Sequence, residues 1–388
     1  SQLADDSAPL TPADVLTLDS TTNSFGSSSV KMEDINDDGA VDIVITFANG
    51  DAPAAIYLGA VGTPLSSGTL PTGVLIAPTL GGTPISAVDL QIVDSQTDGL
   101  FNAIEIIDEN GAIYHYEYNG GTNFLDAIYA DPNTDTSSTT AVTQPFDIRD
   151  AHGVVKSADF DGDGFNDLIV GNQLFLSSLS TIKGDFSSVN AIEFDHGAAP
   201  LAIDVGDFDL DGDIDLFVLP GPSGNTGVPG SGGRAPYIIF NRGNGILDES
   251  EEKLLTGVPT TAPNVFTQES KDVLTVEVGD GIPPILVIKN GDPLAPIMVL
   301  KAGGSGAASD WETSSLTLVS GSAGEPSIED MQAVDIDGDG VQELVVASDD
   351  FVRVYKTSDA GATWAIERTI TRPGGSPFSA IKVGDVDK

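Results

Sequence analysis

The chain has no cysteine in 388 residues, which removes disulfides, zinc–thiolate centres and thiol nucleophiles together. Basic residues are scarce: 16 Lys and Arg stand against 59 Asp and Glu, for a formal net charge of −43. A surface of that sign repels phosphate backbones and anionic headgroups, so neither nucleic acid nor an anionic membrane is expected as a partner. No apolar run reaches the roughly 18 residues that would read as a membrane-spanning helix. There are three histidines, His115, His152 and His196. No G-x-S-x-G elbow, phosphate-binding P-loop or H-E-x-x-H helix occurs, and there is no Asn-x-Ser/Thr sequon. What remains is 40% hydrophobic, with 44 Gly and 23 Pro: enough apolar residues for a core, and many turn formers.

Four acidic nine-residue segments each run directly into a hydrophobic strand. They are Asp34-Ile-Asn36-Asp-Asp38-Gly39-Ala-Val-Asp42, Asp159-Phe-Asp161-Gly-Asp163-Gly164-Phe-Asn-Asp167, Asp207-Phe-Asp209-Leu-Asp211-Gly212-Asp-Ile-Asp215 and Asp335-Ile-Asp337-Gly-Asp339-Gly340-Val-Gln-Glu343. Oxygen donors at positions 1, 3, 5 and 9 can wrap one hard cation, and Gly at position 6 supplies the sharp turn. Calcium suits such a set, and about four ions are expected. The helix–loop–helix calcium hand needs a Glu at position 12. Here that position holds Ile45, Val170, Val218 and Val346, so these are hairpin loops between strands. Sites of this kind fill where calcium is millimolar, which places the protein outside the cell or on its surface.

The loops sit inside a longer repeat. Degenerate copies begin at Asp94 and Asp280, and a truncated one at Asp385, so markers fall at 34, 94, 159, 207, 280, 335 and 385. Each repeat reads as four strands. One enters the loop (30–35, 154–160, 201–208) and one leaves it (43–47, 168–171, 216–219, 285–288, 344–347). A third follows a turn (55–58, 113–118, 174–176, 237–240, 297–300, 352–356), and a fourth closes the unit (191–194, 316–319, 364–369). Four-stranded antiparallel repeats at this period predict an all-β chain, a single β-propeller domain over 1–388. Thr357-Ser-Asp359-Ala-Gly361-Ala-Thr-Trp364 has the S/T-x-D-x-G-x-x-W spacing of an Asp box, a structural turn whose Trp is expected to pack between blades.

These loops, their following strands and their period resemble FG-GAP/VCBS repeats, the calcium-binding blades of the integrin α-subunit propeller. The resemblance implies calcium-stabilised blades and ligand binding on the face opposite the calcium loops. Seven blades are expected, the seventh incomplete: a strand near 15–19 has no blade before it, and 381–387 starts one with nothing after it. The native polypeptide is therefore expected to continue past Lys388 into further domains.

Strand alternation puts the calcium loops on one face and the long connections Asp131–Gly153, Pro220–Pro236 and Gly257–Lys271 on the other. Long connections on a rigid scaffold are where binding usually lies. Arg149 and Arg234 can clamp a carboxylate or sulfate, His152 lies beside them in the sequence pattern, and Tyr237 can stack on a sugar. The expected function is a binding module for adhesion to, or recognition of, a protein or polysaccharide. Two other readings stay open: a polysaccharide-lyase-like enzyme using His152 or His196 with a Tyr, and a structural subunit of a surface assembly. No catalytic residue is assigned.

Overall fold

Short apolar stretches separated by Asp/Gly turns can pair only with their neighbours in sequence, and hairpins result. The computed structural model describes residues 27–36, 38–47, 54–59, 74–76, 87–93, 103–108, 113–118, 124–128, 155–164, 166–170, 173–176, 192–193, 200–220, 236–243, 245, 247, 252–255, 273–289, 297–303, 310–311, 315–319, 328–371 and 381. They form six four-stranded antiparallel sheets, each built from consecutive strands. Sheet one holds β1 (Ser27–Glu33), β2 (Asp42–Phe47), β3 (Ala54–Tyr57) and β4 (Val74–Ile76). Sheet two holds β5 (Ala87–Val93), β6 (Ala103–Asp108), β7 (Ile113–Tyr118) and β8 (Phe124–Ile128). Sheet three holds β9 (Val155–Ala158), β10 (Asp167–Val170), β11 (Gln173–Phe175) and β12 (Ile192–Glu193). Sheet four holds β13 (Pro200–Gly206), β14 (Asp215–Pro220), β15 (Tyr237–Ile239) and β16 (Glu252–Leu254). Sheet five holds β17 (Val273–Val276), β18 (Ile285–Lys289), β19 (Ile297–Lys301) and β20 (Ser315–Val319). Sheet six holds β21 (Ile328–Val334), β22 (Glu343–Ser348), β23 (Phe351–Lys356) and β24 (Ala365–Thr371). No α-helix occurs among the described residues.

The first strand of each sheet meets the first strand of the next, in the order β1, β5, β9, β13, β17, β21. Charge and backbone bind this inner row at one point: Asp204 on β13 pairs with Lys156 on β9 at 2.8 Å and accepts the N–H of Thr275 on β17. Between the sheets lies apolar packing set by strand alternation. The residue after position 9 faces the preceding sheet, and the one after that faces the following sheet. Thus Leu216 and Val218 pack with Phe160, Ile169 and Leu174 of sheet three. Phe217 and Leu219 pack instead with Leu286, Ile288, Met298 and Trp311 toward sheet five. Sheet five meets sheet six through Ile285, Val287, Leu344 and Val346.

The same alternation defines two further faces. Ile43, Ile45, Ala55 and Tyr57 of sheet one form a cluster pointing toward whatever precedes that sheet. Val345, Ala347, Val352 and Val354 of sheet six point toward whatever follows, and there Ile381 packs on them, its N–H donating to Asp330 at 2.6 Å. The strand expected near 15–19 and residues 382–387 lie outside the described residues. Ile381 itself is not in a strand.

Most expected strands match the observed ones to within two or three residues. The entering strands β5, β17 and β21, the leaving strand β6 and the closing strands β4, β8 and β16 had not been given bounds; the closing ones are the hardest to see. They are outermost and short, and β16 is half-exposed Glu-Lys-Leu, so no apolar alternation marks them. Phe208, at position 2 of the third loop, is fully buried against sheet five and meets Trp311 edge-on, the rings 5.4 Å apart at 78°. Its carbonyl accepts Trp311 Nε1–H at 2.8 Å. Phe208→Ala should therefore destabilise the protein by about 3–5 kcal/mol, read as a lowered urea midpoint with the loop carboxylates intact.

Candidate metal loops

In every acidic loop the position-1 carboxylate organises the turn by accepting the N–H groups of positions 5 and 6, and in the second and fourth loops also that of the position-4 glycine, Gly162 or Gly338. Asp34 takes those of Asp38 and Gly39 at 3.1 and 2.8 Å, and Asp159 those of Asp163 and Gly164 at 3.1 and 2.9 Å. Asp207 takes those of Asp211 and Gly212 at 3.1 and 3.0 Å, and Asp335 those of Asp339 and Gly340 at 3.2 and 2.9 Å. The position-6 glycines turn the chain with φ of 83, 91, 96 and 83°, a region that disfavours residues bearing a Cβ.

Position 9 begins the second strand and is buried in all four loops. One of its oxygens accepts the position-2 N–H: Asp42 from Ile35 at 2.9 Å, and Asp167 from Phe160, Asp215 from Phe208 and Glu343 from Ile336, each at 2.8 Å. The other oxygen of Asp42 takes Gly59 N–H at 2.7 Å, and that of Asp215 takes Asn241 N–H at 2.9 Å, both just past the third strand. Asn241 also donates through Nδ2 to the Phe160 carbonyl of the preceding sheet at 2.6 Å.

Carboxylates gather where a cation would sit. Ligand oxygens of Asp159, Asp161 and Asp167, and of Asp207, Asp209 and Asp215, lie within 4.8 Å of one another, as do those of Asp335, Asp337 and Asp339. In the second and third loops the carboxylates crowd one another, and in the third the Arg242 charge offsets this only in part at Asp209. Burial pushes the Asp215 carboxyl up to about 8, overcoming the N–H donors of Asn241 and Phe208, which pull it down. Burial likewise raises Asp42 to about 6. Asp209 rises to about 6 through burial and then the charges of Asp211 and Asp207. Asp161 is raised by burial and by Asp163. Asp209 Oδ1 is buried with no hydrogen-bond partner. All-oxygen donors, crowded charge and an orphaned carboxylate oxygen fit a hard divalent cation such as calcium.

The fourth loop differs. Lys356, at the end of β23, reaches into it and pairs with Asp337, with Asp339 at 2.8 Å and with Glu343 at 3.3 Å. The Lys356 hydrogen bond, and then the Val341 N–H, hold the Asp339 carboxyl below its ordinary value. Nothing in the loop motif announces Lys356, Asn241 or Gly59, which come from the far end of the third strand. Strand pairing is the signal that finds them.

In the first loop Asp34, Asn36, Asp38 and Asp42 share the common frame, with Asn36 Nδ2 donating to Asp38 at 3.2 Å. Of the ligand-face candidates, Arg149, His152 and Arg234 lie outside the described residues, as does His196. Tyr237 does not serve as a sugar platform: it is 3% exposed and packs between sheets three and four. Strand alternation turns its ring inward, where the sequence had suggested an exposed aromatic. The Asp box is a turn, as expected. Asp359 accepts Thr363 N–H at 2.7 Å, Trp364 Nε1 donates to the Gly361 carbonyl at 3.2 Å, and Trp364 packs against the sheet five–six cluster.

This set of sheets and loops defines a propeller-like all-β protein. Residues 159–218, which include the second and third acidic loops, match the family model described as an FG-GAP-like repeat. The chain thus contains an FG-GAP repeat, as the loops had led us to expect. A lectin of Agrocybe aegerita superposes with a TM-score of 0.55 at 17% identity, covering 90% of this chain and 81% of the lectin chain. The BBS1N structure, solved in complex with ARL6DN, gives a TM-score of 0.51 at 15% identity over 94% of this chain and 86% of its own. At these identities the likeness is one of fold. Comparison with curated proteins gives no match. No helix among the described residues is long and apolar enough to cross a membrane.

Two predictions follow from the loop geometry. An acid whose folded pKa is raised binds its proton more tightly folded than unfolded, so stability falls as pH rises between the two values. In chelator, the melting temperature should drop as pH is raised from about 4 toward 8, the window set by Asp215 with Asp42 and Asp209. Saturating calcium should raise the melting temperature most at the alkaline end, flattening or reversing that slope; calorimetry with and without calcium checks both arms. Separately, Leu210 holds φ 62° at position 4, where the second and fourth loops place Gly162 and Gly338. Because its side chain is 41% exposed, Leu210→Gly should relieve strain at little loss of packing and stabilise the protein by about 0.5–1 kcal/mol in urea unfolding.

Proposed function

We propose that this chain is a calcium-stabilised, seven-bladed binding module of a secreted or cell-surface protein. It recognises a protein or polysaccharide through the connections opposite its acidic loops. The observation that carries this reading is how the acidic loops spend their carboxylates. Positions 1 and 9 are committed to their own backbone and to stapling each hairpin, which leaves these side chains as scaffold rather than as free acids or bases. Recognition then falls to the opposite edge, where β14 ends, β15 begins and the longest connections leave the sheets. The Agrocybe aegerita lectin, described as recognising non-reducing terminal N-acetylglucosamine, makes a glycan the first ligand class to test. A seventh blade would cover the apolar faces that sheets one and six turn away from their described neighbours. The segment 381–387 is its expected inner strand and the strand at 15–19 its expected outer one.

Glycan-array screening followed by titration of acidic polysaccharides tests the function. Saturable binding without turnover is expected. Joint Arg149→Ala and Arg234→Ala replacement should weaken it at least about tenfold, the loss of roughly 1.4 kcal/mol, with the melting temperature unchanged. Turnover of a polysaccharide that disappears in His152→Ala or His196→Ala would replace this reading with a lyase-like one.

A further inference from the structure

We infer that the fourth acidic loop is closed by a lysine ammonium in place of a metal ion: Lys356 is its resident cation. This rests on the calcium reading of the other loops only for the contrast, because the lysine clamp is visible by itself. Lys356 Nζ touches three of the four residues that the motif offers to an ion, Asp337, Asp339 and Glu343, at positions 3, 5 and 9. Its side chain is 28% exposed while that of Glu343 is 1% exposed, so the ammonium lies over the loop with the position-9 carboxylate beneath it.

Strand register shows that this is a change specific to sheet six. Leu344 pairs with Tyr355, as Ile43 pairs with Tyr57, Leu168 with Phe175 and Leu216 with Ile239. The residue that follows is Lys356 in sheet six but Leu58, Leu176 and Phe240 in the other three. An apolar side chain there brings no ammonium into the loop, and in the third loop the Arg242 charge acts on Asp209, whereas Lys356 touches three of the four motif carboxylates. Position 9 changes with it. In the first and third loops the second oxygen of Asp42 or Asp215 accepts a backbone N–H from beyond the third strand. In the fourth, the longer Glu343 keeps the position-2 contact through Oε2, and its buried Oε1 lies 3.3 Å from Lys356 Nζ as an ion pair without a hydrogen bond. The cluster of ligand oxygens shifts accordingly. It comprises positions 1, 3 and 9 in the second and third loops and positions 1, 3 and 5 in the fourth, where all three residues are exposed. A calcium ion entering that loop would have to displace the ammonium or share its carboxylates with it, and the two cations repel. Sheet six is thereby stapled at any calcium concentration, while the other loops respond to it.

The test compares wild type with Lys356→Leu and with Glu343→Asp/Lys356→Leu, which restores the residue types of the third loop. Calcium stoichiometry is read by isothermal titration, and amide exchange by mass spectrometry or NMR. Each leucine variant should take up one more calcium ion per chain than wild type, while Asp335→Asn in wild type should leave the stoichiometry unchanged. In chelator, the Asp339 and Gly340 amides of wild type should stay protected when those of Asp211 and Gly212 exchange. Lys356→Leu should abolish that difference, and calcium should restore it. Loss of one ion on Asp335→Asn, or fourth-loop amides that exchange in chelator as fast as third-loop ones, would overturn the inference. A wild type that binds no calcium would defeat the calcium reading alone, since the exchange comparison in chelator would still judge the lysine.

Discussion

The buried carboxylate at the end of each acidic loop is the interaction on which the rest of this structure depends. Asp42, Asp167, Asp215 and Glu343 are at most 1% exposed, yet they open strands in the middle of a sheet. One oxygen fixes the position-2 N–H. That contact orients position 2 so that Ile35, Phe160 or Phe208 is driven into buried packing. Isolating a charge in this way is costly unless it is paired and hydrogen-bonded. The raised values at Asp42 and Asp215 are the mark of that cost. A cation in the loop would offset it and so couple ion binding to the packing of whole sheets.

Coupling between sheets has a second, polar layer on the same edge. The loop carbonyls of Phe160 and Phe208 accept hydrogen bonds from Asn241 and Trp311, each from the third-to-fourth-strand connection of the following sheet. Glu277 and Gln342 exchange a backbone and a side-chain hydrogen bond at 2.9 Å between sheets five and six. These connections therefore lock neighbouring blades together. Both kinds of hairpin on that face thus carry contacts that hold neighbouring sheets together.

Much of this was legible in the sequence because it is written locally. A hairpin loop states its ligands, its glycine and its following strand within about a dozen residues, and the strands that follow the four acidic loops were placed almost to the residue. The closing strands β4 and β16 escaped because an edge strand packs little and needs no strict alternation. Tyr237 escaped differently. Its aromatic character suggested display, but its parity along β15 decides which way it points, and that required knowing the pairing with Val218. Lys356 could not be read from the loop at all. It lies 17 positions from Asp339 in sequence, and its meaning arises only when β23 is laid beside β22.

The contrast between the third and fourth loops shows how a repeat diverges without losing its fold. Both keep the position-1 turn, the position-6 glycine and the position-2 anchor to within a few tenths of an ångström. These contacts are made by backbone and carboxylate alone and do not specify what neutralises the charge. A calcium ion brings two positive charges and needs many oxygens, whereas an ammonium brings one and donates three hydrogen bonds. Replacing an apolar residue by lysine, together with one methylene at position 9, is enough to move a loop from the first solution to the second. A cation near those carboxylates would relieve their mutual repulsion whichever its origin, and that freedom would let sheets of one protein differ in their dependence on the surrounding medium.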